Sequence, residues 1–148
     1  MRPLKRGNEF EAIFKKQALM QGFYPEKNHL ACRRTPVGFQ LIKSKEFTEL
    51  DFKLVYPLHG EIGFFELKSF MGSSFAYSEL NELQVERSAF WNELGVRSGF
   101  VIWLRGEGGV YFFTGQQILK KGPRQRFHPH EGIYLGNIMN LCLGSLFT

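Results

Sequence analysis

The sequence predicts an α/β fold in which a mixed central β-sheet is flanked by helices. Apolar residues recur at helical spacing in two long segments, and short apolar runs between Pro, Gly or charged residues are typical of strands. The elements follow the order helix, strands, helix, strands, helix. A helix that connects two strands of one sheet favours a parallel pair. We therefore expect the strand at 99–104 to lie parallel to the strand at 61–68.

The first half of the chain predicts one helix and four strands. The helix covers residues 7–21 and ends near Gly22, with its apolar residues on one side. These apolar residues are Phe10, Ile13, Phe14 and Leu19. The strands are predicted at 28–34, 37–43, 50–56 and 61–68, and we interpret them as a meander.

The second half predicts a loop, two helices and two strands. Residues 71–74 form a Gly/Ser loop, and Ser78 is the expected N-cap of a helix that reaches Leu94 and stops at Gly95. The predicted buried stripe of this helix consists of Leu80, Leu83, Phe90, Trp91 and Leu94. Strands at 99–104 and 110–113 complete the sheet, and Thr114 is the expected cap of a short helix that ends at Lys120 and Lys121.

Composition predicts a single domain that spans residues 1–148. The chain is 43% hydrophobic and 16% aromatic, which suffices for one sizeable core. A net charge of +5 favours a polyanionic partner, although nucleic acid, ribosome, membrane and acidic protein all satisfy that condition. Cys32 and Cys142 are far apart and form no C-x-x-C pair, so neither a zinc site nor a disulfide framework is indicated. With no signal peptide or membrane span recognisable, we expect a cytoplasmic protein.

Three polar residues predict a metal-dependent site. Glu66 and Lys68 lie two residues apart in a strand-like run, so their side chains project from the same face of the strand. A turn around 57–60 would bring Asp51 back beside Glu66. Two carboxylates held together suit Mg²⁺ or Mn²⁺, which polarises a phosphate and lowers the pKa of a bound water. Lys68 would orient that water or stabilise charge on the phosphate. The alternative is a solvated strand face with a surface ion pair.

An ordered set of short segments resembles the RecU-type Holliday junction resolvases of the PD-(D/E)XK nuclease superfamily, and this resemblance covers roughly residues 5–120. The segments are Arg6-Gly7-Asn8-Glu9-Phe10-Glu11, Arg33-Arg34-Thr35-Pro36-Val37, Asp51, Glu66-Leu67-Lys68, Ser73-Ser74-Phe75, Gln84 and Val110-Tyr111-Phe112. The resemblance implies a restriction-endonuclease-like fold. It also implies a Mg²⁺-dependent homodimer that cuts opposing strands of a four-way DNA junction symmetrically.

The resemblance assigns roles to five residues. Glu11 would be the acidic residue of the first helix, Asp51 and Glu66 the metal ligands, Lys68 the catalytic lysine and Gln84 the glutamine of the following helix. Glu9 competes with Glu11 for the first role, and either could instead complement the helix dipole.

Two departures from the family pattern concern the substrate. Only fourteen residues lie between Pro36 and Asp51, fewer than in the projecting stalk of RecU-type enzymes, and Leu83 stands where the family usually has histidine. A related nuclease that acts on nicks, flaps or ordinary duplex, or an inactive DNA-binding module, therefore remains an alternative.

Several further residues are candidates for DNA contact. Positive charge and hydroxyl groups suit phosphate binding, whereas the alternatives are solubility charges and plain turns. The candidates are Arg33, Arg34, Lys43, Lys45, Ser73, Ser74, Lys120, Lys121, Arg124 and Arg126. His128 and His130 have metal-like spacing, but Pro129 and the lack of a nearby third ligand favour a solvated loop.

Overall fold

The computed structural model describes residues 6–27, 32–35, 38–41, 50–57 and 60–148, and their architecture is a mixed α/β fold. The helices are α1 (Arg6–Met20), α2 (Glu82–Glu93) and α3 (Gly115–Lys121). The strands are β1 (Tyr24–Lys27), β2 (Cys32–Thr35), β3 (Gly38–Leu41), β4 (Phe52–Tyr56), β5 (Glu61–Phe70), β6 (Phe75–Ala76), β7 (Arg97–Leu104), β8 (Gly109–Thr114), β9 (Arg126–Phe127), β10 (Ile133–Asn137) and β11 (Asn140–Leu141). Short 3-10 turns occupy Tyr77–Glu79, Pro129–Glu131 and Leu143–Phe147.

Seven strands form the central sheet in the order β1-β4-β5-β7-β8-β10-β11. The pair of β5 and β7 is parallel, with Glu66 opposite Phe100, whereas the other neighbouring pairs of this sheet are antiparallel. The predicted parallel crossover through α2 is therefore confirmed. It places the helix that follows β5 on the face of the sheet from which Glu66 and Lys68 project.

Two apolar clusters cover the two faces of this sheet. Phe65 and Leu67 of β5 pack in one cluster with Phe10 and Phe14 of α1. Phe100, Ile102 and Leu104 of β7 pack in the other, with Val85 of α2 and Ile118 of α3. Because successive residues of a strand point to opposite faces, α1 lies on one side of the sheet, and α2 and α3 lie on the other.

The predicted meander is partly wrong. β4 and β5 form the expected hairpin, but β2 and β3 pair with each other in a separate two-stranded sheet. The neighbour of β4 is instead β1, in a segment that the sequence analysis left without a strand. Its sequence Tyr-Pro-Glu-Lys alternates weakly, and Pro is tolerated because β1 lies at the edge of the sheet. Residues 28–31, 37, 42 and 43 of the two predicted strands lie outside the described residues.

The predicted start of the second helix is also wrong. α2 begins at Glu82, and its N-cap is Asn81, whose Oδ1 accepts hydrogen bonds from the backbone N–H groups of Leu83 and Gln84. Ser78 lies instead in a 3-10 turn. The turn carries its own hydrogen bond, from the Ala76 N–H to the Glu79 carboxylate. The 3-10 turn and α2 are therefore separate elements, and the helix does not begin until Glu82.

The predicted buried stripe of α2 is largely wrong as well. Leu80 is buried as predicted, although it precedes the helix, but Phe90 is 48% exposed and Leu94 is 60% exposed. The buried residues of the helix are Val85, Ser88 and Ala89. Small residues face inward because α3 approaches closely: a Cβ added to Gly115 would lie 2.4 Å from the Ala89 nitrogen. The large side chains are consequently left at the surface.

The C-terminal segment adds strands that the sequence analysis did not predict. β10 extends the sheet beyond β8, and β11 follows it. Gln17 donates to the carbonyl of Ile138 and accepts from the Leu141 N–H, each at 2.6 Å. Gln21, one helical turn later, bonds the backbone of Leu141 and Leu143 in the same way. The side-chain amides of Gln17 in α1 and of Gln21 just after it therefore hold the segment 138–143 against the helix.

The predicted N-cap of α3 is confirmed. Thr114 caps α3, because its hydroxyl accepts from the Gln117 N–H while the Gln117 side chain accepts from the Thr114 N–H, as a capping box requires. Among the helices of the described residues, none is long and apolar enough to cross a membrane.

Candidate active site

Asp51 and Glu66 meet at the start of the β4–β5 hairpin. The pairing of Phe52 with Phe65 fixes the register, so the residues just outside that pair, Asp51 and Glu66, face each other. The Asp51 N–H donates to Glu66 Oε2 at 2.8 Å, and the Leu67 N–H donates to Asp51 Oδ2 at 3.3 Å. Each carboxylate is therefore positioned by a backbone group.

Burial makes this carboxylate pair electrostatically unusual. Glu66 is 3% exposed, and its pKa is raised to about 8, first by burial and then by the negative charge of Asp51. Burial likewise raises the pKa of Asp51. Because the pKa of each carboxyl group is raised, the metal-free pair favours a protonated state. A cation would replace the proton and allow both groups to ionise.

Lys68 stands on the same strand face as Glu66. Its Nζ lies 3.7 Å from Glu66 Oε1, and its side chain is 34% exposed whereas that of Glu66 is 4% exposed. The positive charge of Lys68 lowers the pKa of both carboxyl groups, but less than burial raises them. The ammonium thus reaches from the buried pair toward solvent, where a substrate phosphate would approach.

Of the two acidic residues of α1, Glu11 is the one beside this site. Its negative charge contributes to the raised pKa of Asp51, and its Oε2 lies 2.8 Å from Lys27 Nζ. Glu9 binds Arg105 instead, at 3.1 Å. Lys27 was not singled out in the sequence, because a lysine at the end of an edge strand carries no local signal of a partner sixteen residues earlier.

Gln84 lies in the first turn of α2, where its side chain is half-buried and its N–H donates to the Asn81 cap. Its role in the site stays a prediction. Arg33 and Arg34 lie in β2, in the separate hairpin, and Lys43 and Lys45 fall outside the described residues.

The loop at 71–74 and the segment after α3 are joined by polar contacts. Arg126 Nε donates to Ser74 Oγ at 2.7 Å, while Ser73 is exposed. Lys121 forms an ion pair with Glu131 at 2.6 Å and also donates to the Arg126 carbonyl. Lys120 and Arg124 are exposed, and within the described part of the chain neither forms an ion pair. The exposed ammonium of Lys120 and guanidinium of Arg124 could contact an external phosphate.

The donor set of the carboxylate pair fits a hard divalent cation. Asp51 and Glu66 supply closely spaced oxygens, which Mg²⁺ and Mn²⁺ prefer, and Mg²⁺ commonly binds one or two carboxylates together with water and substrate phosphate. Within the residues that the structure describes, no group of three or more His, Cys, Asp or Glu side chains could hold a metal. The rings of His128 and His130 stack with their centroids 5.9 Å apart.

Comparison with known proteins adds information about the fold. Neither a protein-family model nor a curated protein sequence matches the chain. Among solved structures, the fold is similar to that of Archaeoglobus fulgidus Hjc, a Holliday junction resolvase from an archaeal hyperthermophile. The TM-score is 0.58 at 16% sequence identity, and the match covers 86% of this chain and 95% of Hjc.

The class that these observations define is therefore a mixed α/β fold shared with a Holliday junction resolvase. At 16% identity this likeness concerns the fold alone, so the PD-(D/E)XK superfamily expected from the sequence stays a prediction. The likeness does not distinguish the RecU type from other resolvases, and that finer assignment stays a prediction.

Proposed function

We propose that the chain is a Mg²⁺-dependent endonuclease that resolves four-way DNA junctions by paired, symmetric phosphodiester hydrolysis. The observation that carries the proposal is the buried Asp51–Glu66 pair with Lys68 beside it, within a fold shared with a junction resolvase. A structural protein gains nothing from burying two adjacent carboxylates, because their mutual repulsion and desolvation cost stability.

In this proposal, Asp51 and Glu66 hold Mg²⁺, with Mn²⁺ as a possible replacement. When bound, the cation would polarise the phosphate and lower the pKa of a bound water. Lys68, with its ammonium toward solvent, stabilises negative charge that develops on the phosphate or orients the attacking water. Glu11 adds negative charge beside Asp51, and we propose Gln84 as a further polar residue of the site.

We propose that DNA phosphates contact the exposed side chains of the loops near this face. Lys120 and Arg124 are exposed and form no ion pair with the residues that the structure describes, and Ser73 presents an exposed hydroxyl. Lys121, Arg126 and Ser74 hold the neighbouring segments together, so their proposed contribution combines positioning with charge. Arg33 and Arg34 would contact DNA from the β2–β3 hairpin.

Symmetric cutting requires two sites, and we propose a homodimer formed through one apolar surface. This surface consists of Ile62, Phe64, Phe90, Trp91 and Leu94. Ile62, Phe90 and Leu94 are 45%, 48% and 60% exposed, and the Phe64 and Trp91 rings stack with centroids 4.7 Å apart. It adjoins a groove of about 660 Å³.

A second copy of the chain is the occupant that suits this surface. A two-fold interface must be complementary to itself, and the groove is lined by one acidic and one basic residue, Glu61 and Arg97. A two-fold axis could therefore place Glu61 of one protomer against Arg97 of the other. Large exposed apolar side chains close to charged residues are typical of protein interfaces.

The experiment that tests the proposed function is cleavage of end-labelled DNA. Four-way junction, flap and linear duplex are each incubated with wild type and Glu66→Gln, in Mg²⁺ and in EDTA. We expect paired symmetric nicks near the junction centre, abolished by the substitution and by EDTA. Equal cutting of all substrates would instead identify a general nuclease of this fold, and binding without cutting would identify an inactive module.

A further inference from the structure

Lys27 ends β1, beside the strand β4 that begins directly after Asp51. Its Cα partner in the sheet is Phe52, the residue that follows Asp51. Its Nζ lies 2.8 Å from Glu11 Oε2, and the side chain of Glu11 is only 23% exposed. The hydrogen bond and charge of Glu11 raise the pKa of Lys27, and the charge of Asp51 adds to the effect. One ammonium group therefore interacts with two carboxylates of the site.

The charges around the site are nearly balanced for a single metal ion. The carboxylates are those of Glu11, Asp51 and Glu66, and the ammonium groups are those of Lys27 and Lys68. When all are ionised, one net negative charge remains. One divalent cation and one phosphodiester together bring the total to zero, whereas a second divalent cation would leave a surplus of two positive charges. Such a surplus in a partly buried site is unfavourable.

We infer that Lys27 is a positioning residue that holds Glu11 away from the metal, so that Asp51 and Glu66 bind a single divalent cation. The inference rests on the proposed function, because it concerns the same site. Glu11 then contributes through its charge, and Lys27 occupies the place at which a second cation would otherwise neutralise it.

A second ion pair that also involves β1 provides a control. Lys53 Nζ lies 3.0 Å from Glu26 Oε2, and the Glu26 side chain is 66% exposed. This pair joins β4 to β1, as an ordinary surface ion pair does. Loss of Lys53 therefore measures the effect of removing one surface lysine from this edge of the sheet.

The test is calorimetric titration of the full chain with Mg²⁺ alone, without DNA, in wild type, Lys27→Met, Lys27→Arg and Lys53→Met. Removal of the Lys27 ammonium frees Glu11, so the affinity for Mg²⁺ should rise by about tenfold at low salt, or a second cation should bind. Lys27→Arg keeps the charge and should bind as wild type does. Lys53→Met should also match wild type.

Two outcomes would overturn the inference. The first is equal Mg²⁺ affinity and stoichiometry in Lys27→Met and Lys53→Met, and the second is the absence of binding in both wild type and Lys27→Met. Thermal unfolding of each variant in EDTA verifies that it is folded. Failure of the proposed function is recognised separately: Glu66→Gln would then bind Mg²⁺ as well as wild type does, and it would retain any junction cleavage.

Discussion

Glu66 is a carboxyl group that needs either a proton or a cation. It is 3% exposed, and burial together with the charge of Asp51 raises its pKa to about 8. In the unfolded chain the same carboxyl group has the ordinary pKa of a glutamate, near 4.5. Stability of the metal-free protein must therefore depend on pH.

The sign of this dependence follows from the raised pKa. Between the two pKa values the folded protein keeps a proton that the unfolded chain has lost, so the free energy of unfolding falls as pH rises from about 5 to about 8. The slope for one proton is at most about 1.4 kcal/mol per pH unit. Urea unfolding in EDTA at several pH values measures it.

Glu66→Gln serves as the control for this pH series, because glutamine has no proton to lose. The variant should show a flatter profile over the same range. A wild-type stability that rises between pH 5 and 8, or a variant with the same downward slope, would contradict the raised pKa of Glu66.

A second prediction at the residue scale concerns metal and stability. Mg²⁺ should raise the Tm of wild type, because it binds the folded site and not the unfolded chain. At one hundred times its Kd the gain is about 2.7 kcal/mol. Asp51→Asn should remove most of the shift, whereas Glu26→Gln, at an exposed carboxylate of β1, should preserve it. Differential scanning fluorimetry provides the measurement, and an equal shift in Asp51→Asn would exclude Asp51 as a ligand.

At the scale of elements, the start of α2 shows how local signals compete. Serine and asparagine are both good N-cap residues, and the sequence analysis predicted Ser78 as the cap. The structure uses Asn81, because the 3-10 turn at Tyr77–Glu79 buries Tyr77 and the hydrogen bond between Ala76 and Glu79 holds the turn. Helix α2 is consequently one turn shorter than predicted.

This correction predicts different costs for two similar substitutions. Asn81→Ala removes the acceptor of two backbone N–H groups and should lower the free energy of unfolding by about 1 kcal/mol. Ser78→Ala, at an exposed residue outside the helix, should change it by less than about 0.5 kcal/mol. Chemical denaturation of both variants compares them, and equal losses would place the cap at Ser78 after all.

For the whole molecule, the apolar surface around Leu94 determines the expected assembly. Leu94→Glu should shift the protein from dimer to monomer, because a carboxylate would be buried between two copies. Leu19→Glu is the matched control, since Leu19 is 55% exposed on α1, on the other side of the sheet. Sedimentation over a range of concentrations measures both. A wild type that remains monomeric, or a Leu19→Glu variant that dissociates equally, would contradict the proposed interface.

The local part of the fold and of the candidate site was predictable from sequence. Alternation along β5 places Glu66 and Lys68 on one face, and the hairpin with β4 brings Asp51 to Glu66 within fifteen residues of chain. The parallel crossover through α2 was predictable for the same reason, because helix and strand periodicity are properties of short segments.

Tertiary structure decided the features that depend on distant residues. The two acidic residues of α1 have different partners: Glu11 binds Lys27, whereas Glu9 binds Arg105 across the fold. The close packing of Ala89 against Gly115 leaves Phe90 and Leu94 exposed, although their spacing favoured burial.

The sequence by itself therefore determined the α/β class, the order of the three helices and of the strands β4, β5, β7 and β8, and the strand face that carries the candidate site. Only the tertiary structure decided which charged side chains pair and which apolar side chains remain at the surface. The physical reason is range: periodicity and hairpin geometry act over a few residues, whereas ion pairs and helix packing depend on groups brought together by the complete sheet.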